Sequence, residues 1–273
     1  MPPHKTKGGL DLPAGGLPVT NANQIMASVL LIASWARVAI TSQDWHLPTH
    51  ASFAENHLDA DGKPKAPFPK GGVSWESPSG KDSGPGWPRH CVQHTDEAKV
   101  HPDLAAMLSE MKIQVISVFK GLLEFVESFG AFGSQNFNSE KPDERTELMA
   151  KVAQLGIHTF VISGIALDYC VFFTLQQALS LGIKCYLVKN ACAAVDQTPE
   201  GLAATYAKME DLGAILVENP ENLPEELFEE VEGSEHPEDK SSSSALSSEE
   251  PASTASTASA AGGGGGAAPT TGQ

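Results

Sequence analysis

Several things are scarce in this 273-residue sequence, and each scarcity removes a class of protein. The four cysteines, Cys91, Cys170, Cys185 and Cys192, include no CxxC pair and no close framework spacing. Free thiols in a reducing compartment are the expectation. No run of about 18 apolar residues occurs, and the opening MPPHKTKGGLDLPAGG has no apolar h-region of a signal peptide. Basic residues number 18 against 34 acidic ones, for a formal net charge of −16. Nucleic acid and anionic membrane are therefore not expected as partners, since both need clustered Lys and Arg. The terminal TGQ is not a peroxisomal SKL-type signal. An intracellular, cytoplasmic chain is expected, with nucleus and peroxisome left open.

What is present divides unevenly. Residues 218–250 carry 12 acidic residues and one Lys, so −11 of the −16 lies there. From Gly233 on, Ser, Ala, Gly, Thr, Pro and Glu dominate. Such a composition buries too little apolar surface to offset the entropy lost on ordering. The reading is a domain over residues 1–217 and an acidic, then Ser/Ala/Gly-rich, disordered tail over residues 218–273. With 41% hydrophobic residues the chain has ample material for a core.

Within the domain, helical and strand patterns alternate. NANQIMASVLLIASWAR (21–37) has apolar residues at helical spacing, and VAITS (38–42) is a β-branched run. After a polar, Gly- and Pro-rich stretch (55–90) come HPDLAAMLSEM with IQVISVF, ERTELMAKVAQLG with HTFVISG, DYCVFFTLQQALSLG with IKCYLVKN, and PEGLAATYAKMEDLG with AILVE. Five alternations, with strands apolar on both faces, predict an α/β fold: a Rossmann-like, three-layer parallel sheet flanked by helices on both faces. In such sheets chemistry gathers at the C-terminal strand ends.

Four candidates fall on that one edge: Asp44 and His46 just after VAITS, Lys120 just after IQVISVF, and Cys170 six residues after HTFVISG. A Cys at a helix N-terminus gains thiolate character from the dipole; equally, a free Cys is often just a small buried hydrophobe. Lys120 is either a solvated strand end or an ammonium beside that thiol. In D-W-H, positions one and three of an extended segment point the same way, so carboxylate and imidazole can share a cation. His90 in WPRHCVQH is available as a third ligand. One O and two N ligands, with other positions open to water, suit Zn²⁺, Fe²⁺ or Mn²⁺ rather than Ca²⁺. The alternative is that Asp44 and His46 only hydrogen-bond loop backbone.

Taken together, QDWHLPTHASFA, WPRHCVQ, VFKG and SGIALDYCV resemble the nicotinamidases of the isochorismatase-like cysteine hydrolase superfamily, in the same order along residues 12–217. The resemblance implies a divalent metal, zinc first with iron or manganese as alternatives, on Asp44, His46 and His90. His50 lies where some relatives supply a further ligand. It implies Cys170 as nucleophile, Lys120 beside it, a cis peptide at Ile165-Ala166, and an oxyanion hole from the N–H groups of Ala166 and Cys170. Trp87 would stack on the pyridine ring of nicotinamide, whose ring nitrogen would meet the metal. The implied reaction is deamidation through a thioester, yielding nicotinate for NAD salvage.

The sequence departs from the family at one place. There an apolar strand ending in D-x-Q-N-D-F precedes L-P-G-G-S-L-P-V, and its first Asp is the general base. Here HKTKGGLD precedes LPAGGLPV, so ungapped alignment puts Thr6 in place of that Asp and Asp11 in place of a pocket aromatic. The base and its strand are expected to be missing, either because the chain is an incomplete form or because it is a short form that lost activity. Loss of one member of a cooperating triad commonly removes orders of magnitude of rate. The competing expectations are another superfamily hydrolase, acting on isochorismate or a carbamoyl amide, and a catalytically dead metal- or nicotinamide-binding protein. A homo-oligomer is compatible with the sequence but not specified by it.

Overall fold

The structure, a computed structural model, describes residues 16–67, 74–78, 83–134 and 146–228. Thr6, Asp11 and the tail from residue 229 on lie outside the described residues.

The expected alternation of helices and strands is present. Helix α1 (Met26–Trp35) leads into β1 (Val38–Asp44); a short antiparallel hairpin, β2 (Ser74–Glu76) and β3 (Ser83–Pro85), follows. Next come α2 (Pro102–Met111), β4 (Gln114–Lys120), α3 (Leu148–Gln154), β5 (Thr159–Ile165), α4 (Phe172–Ser180), β6 (Lys184–Ala193), α5 (Pro199–Asp211) and β7 (Ile215–Val217). Local chemistry sets the helix starts. Thr198 Oγ1 accepts from the Gly201 N–H at 3.0 Å, ahead of Pro199 in the first turn of α5. His101 Nδ1 accepts from the Asp103 N–H at 3.2 Å ahead of Pro102 in α2.

All pairings among β1, β4, β5, β6 and β7 are parallel, but they form two sheets among the described residues: β1 with β4, and β5–β6–β7. No described strand joins β1 to β5. The two sheets nevertheless share a core. Ile40, Ile116 and Val118 from one pack with Phe160, Ile162, Cys185 and Leu187 from the other, under Val152 of α3, Leu175 and Ala178 of α4, and Met209 of α5. Because successive strand residues face opposite ways, Val161, Tyr186 and Val188 turn to the other face, where Val29, Ile32 and Trp35 of α1 cover them. Helices thus lie on both faces, as the doubly apolar strands require.

The packed chain continues past residue 217, the boundary expected from composition. Leu223 is buried against Tyr186 and Val188, Leu227 joins the same cluster, and the Phe228 ring lies 5.0 Å from that of Trp35. Residues 218–228 therefore belong to the domain: three apolar side chains spaced among the glutamates give this stretch a face to bury. Among the described residues no helix is long and apolar enough to cross a membrane.

Candidate active site

Strand register brings the first two candidates together. Asp44 and Lys120 are the last residues of β1 and β4 and are direct cross-strand partners, so their side chains leave the same sheet edge on the same side. Lys120 is almost fully buried, 3% exposed. Burying an ammonium is costly unless its donors are satisfied, and here all three are. Nζ donates to Asp44 Oδ1, to the Ser128 carbonyl at 3.0 Å and to Cys170 Sγ at 3.3 Å.

The chain beyond β1 carries the next group. His46 bridges in parallel to Val92, with the His46 N–H on the Cys91 carbonyl at 3.1 Å and the Gln93 N–H on the His46 carbonyl at 2.9 Å. A second bridge, Phe53 to Trp87, fastens the same two segments. These two staples hold WPRHCV beside DWH and deliver His90, whose Nε2 lies 3.9 Å from Asp44 Oδ2. Trp45 turns the other way, edge-on to Phe119 at 4.8 Å, as the alternation of an extended segment demands.

Asp44, His46 and His90 each offer one ligand atom, all within 4.8 Å of one another. The tautomers suit coordination. His46 Nδ1 is 3.1 Å from the Gly121 carbonyl and His90 Nδ1 is 2.7 Å from the Pro88 carbonyl, so each Nδ1 donates and each Nε2 keeps its lone pair. Metal-binding histidines are commonly oriented in this way. Burial, partly offset by Asp44, holds the His46 ring down at about 4, so it is neutral near pH 7. Burial alone would raise the Asp44 carboxyl, but Lys120, His46 and His90 together hold it well below the usual carboxylate range. Two imidazoles and one carboxylate, all largely buried, fit a divalent borderline metal.

His50 is fully buried against His46, ring centroids 4.2 Å apart. Its Nδ1 lies 3.2 Å from the Ser52 N–H, which donates to it, and 2.7 Å from Ser52 Oγ; its Nε2 is 3.3 Å from the Val126 carbonyl. Both ring nitrogens already have protein partners. His50, His46 and Glu127 do form a second buried group with one donor atom each within 4.8 Å. Burial pushes the Glu127 carboxyl up. Neither Glu127 nor Ser128 stands out in the sequence, where LLEFVESFG shows only two acids among apolar residues.

Gly121, the residue after Lys120, has a structural reason to be glycine. Its φ is +65°, and a Cβ there would sit 2.4 Å from His46 Cε1 and 2.5 Å from Nδ1. Gly121→Ala should therefore strain the turn and push the His46 ring aside. The expected result is at least about a tenfold loss of metal affinity, read by competition with a chelating dye, in protein that still folds.

Cys170 sits in a single π-type turn, Leu167–Val171, that feeds α4. A cis peptide lies at Ile165-Ala166, immediately before it. The Ala166 carbonyl accepts from the N–H groups of Tyr169 and Val171 at 3.1 and 3.0 Å. Asp168 fixes the turn from outside: its carboxylate accepts from the Val195 and Asp196 N–H groups at 2.9 and 2.8 Å. Trp87 is buried and meets edge-on, at 5.1 Å, the ring of Tyr169, the residue before Cys170. Burial pushes the Cys170 thiol up to about 11, partly relieved by Lys120 and raised further by Asp44 and Glu127. Of the other cysteines, burial pushes Cys91, Cys185 and Cys192 up to about 12.

The geometry thus joins the polar sequence candidates, with Cys170–Lys120–Asp44 in one chain of contacts and His46 and His90 beside Asp44, while Ala166 accepts from the backbone of the Cys170 turn and Trp87 meets Tyr169 in that turn. The Isochorismatase domain model matches residues 73–221, more than half of the chain. The chain belongs to the isochorismatase domain family. A nicotinamidase of Acinetobacter baylyi is 33% identical to this family member over 184 residues, covering 67% of this chain and 76% of that protein. A nicotinamidase of Escherichia coli is 31% identical over 211 residues, covering 77% and 86%. Among solved structures, a nicotinamidase and pyrazinamidase of Acinetobacter baumanii superposes with a TM-score of 0.64 at 29% identity, covering 78% of this chain and 92% of its own.

Proposed function

We propose that this isochorismatase-domain protein is a nicotinamidase, hydrolysing nicotinamide to nicotinate and ammonia through a thioester on Cys170. The observation that carries the reading is the Lys120 ammonium, held 3.3 Å from Cys170 Sγ with Asp44 on its other side, next to a three-donor set.

Each residue has a task. Trp87 and Tyr169, whose rings meet next to the Cys170 turn, would hold a flat aromatic ring. Asp44, His46 and His90 would hold a divalent metal, zinc first with iron or manganese as alternatives. When bound, that metal would supply a Lewis-acid anchor for the pyridine nitrogen. Cys170 Sγ then forms a bond to the amide carbon, and Lys120 stabilises the sulfur's negative charge as the thiol proton leaves. The N–H groups of Ala166 and Cys170 would face the carbonyl oxygen as it gains charge. That proton ends on the amide nitrogen, which departs as ammonia; water then adds to the thioester carbon and releases nicotinate and the thiol. Nicotinate would enter NAD salvage in the cytoplasm.

A second reading, a metal- and nicotinamide-binding protein of impaired activity, draws on the Cys170 thiol being pushed up to about 11. Such a thiol needs a base, and the position aligned with the family's Asp is Thr6. Ammonia release from nicotinamide, measured with metal content on the same sample, decides between them. Turnover supports the enzyme; a folded, metal-loaded protein with none supports the binding protein; turnover of isochorismate or a carbamoyl amide in metal-poor protein would overturn both.

A further inference from the structure

Asp44 stands between the Lys120 ammonium and the imidazole donors that would hold a metal. One oxygen, Oδ1, takes the buried Lys120 ammonium, and the other, Oδ2, faces His90 Nε2 at 3.9 Å. His46 contributes the third donor atom within 4.8 Å. The other two hydrogen-bond acceptors of Lys120 given by the described residues are the Ser128 carbonyl and Cys170 Sγ, and the buried Glu127 carboxylate also acts on it electrostatically.

We propose that Lys120 and the metal compete for Asp44, so that metal binding releases the ammonium toward Cys170. The inference rests on the reading of Asp44, His46 and His90 as the metal site. Its physics is direct. A divalent cation and an ammonium that share one carboxylate in a desolvated pocket repel each other, and screening by water is weak there. The carboxylate's charge, divided between them, holds each less tightly than it would hold either alone. Lys120 has somewhere to go, because Cys170 Sγ and the Ser128 carbonyl already lie within hydrogen-bonding distance of it. Coupling of this kind is reciprocal: whatever the metal costs the Lys120–Asp44 pair, that pair costs the metal. Loading the metal thereby strengthens the contact that stabilises a thiolate on Cys170. Metal occupancy and nucleophile readiness become one equilibrium rather than two separate properties of the site.

The test is zinc affinity, measured by competition with a chelating dye on wild type, His46→Ala, Lys120→Met and Lys120→Gln, each checked by a thermal melt. Lys120→Met removes the charge. Lys120→Gln also removes it but keeps N–H donors for Asp44 and Ser128, and so serves if the Met variant does not fold. Removing the ammonium should tighten zinc binding by about tenfold or more, whereas His46→Ala should weaken it. If His46→Ala leaves zinc affinity unchanged, the donor-set reading itself is wrong. If His46→Ala weakens binding but the folded neutral Lys120 variants bind zinc no tighter than wild type, the competition alone is overturned.

Discussion

Cys170→Ala should abolish ammonia release from nicotinamide, with a loss of at least about 10³-fold, because removing the nucleophile of a cooperating group leaves only binding and oxyanion stabilisation. The thiol sulfur accepts from the Lys120 ammonium at 3.3 Å. No other cysteine can replace it. Cys185 lies fully buried in the core, Cys192 packs against that core, and the Cys91 thiol points to the Glu97 carbonyl at 3.6 Å. The variant should retain metal, since Cys170 is outside the Asp44, His46, His90 set. It should also fold, because Ser-sized and Ala-sized side chains fit the π-type turn that Asp168 holds by backbone bonds rather than through the thiol. Turnover that survives the substitution would show that Cys170 is not the nucleophile; coincident loss of metal would show that the site is one indivisible cluster.

Much of this arrangement was legible in the sequence because strand ends carry it. β1, β4, β5 and β6 read as short runs rich in apolar and β-branched residues, although β4 leaves Val115 exposed, and their C-terminal ends could be located to within three residues. Asp44 and Lys120 then follow from parallel register alone. The division into two sheets was not legible from the strand pattern, which names strands but not their neighbours. Nor was the double staple of residues 46–54 to 87–93, because backbone bridges such as His46 to Val92 leave no side-chain signature. Ser128 escaped notice for a related reason: it serves Lys120 through its carbonyl, which every residue has. The segment 218–228 was hidden by averaging. Its glutamates dominate the composition, while Leu223, Leu227 and Phe228 do the packing.

The second large effect is expected at His46. His46→Ala removes a neutral, desolvated imidazole whose Nδ1–H is fixed on the Gly121 carbonyl at 3.1 Å and whose Nε2 is left for a ligand. Losing an orienting partner outside a metal's coordination sphere typically costs 10- to 100-fold in affinity, so losing a ligand itself should cost at least about 100-fold. Metal content of the purified variant should fall accordingly. The Michaelis constant for nicotinamide should rise, since the anchor for the ring nitrogen goes with the metal, while Cys170 and Lys120 keep their 3.3 Å contact on the other side of Asp44. A substrate lacking the ring nitrogen, benzamide, separates the two contributions: the substitution should raise the Michaelis constant for nicotinamide and leave that for benzamide nearly unaffected, while any fall in turnover that metal loss causes at Cys170 is shared by both. Unchanged metal content in the variant would remove His46 from the ligand set. Equal rises in the Michaelis constant for both substrates would mean that His46 supports the pocket by packing against His50, Phe53 and His90 rather than by holding a metal that reads the ring.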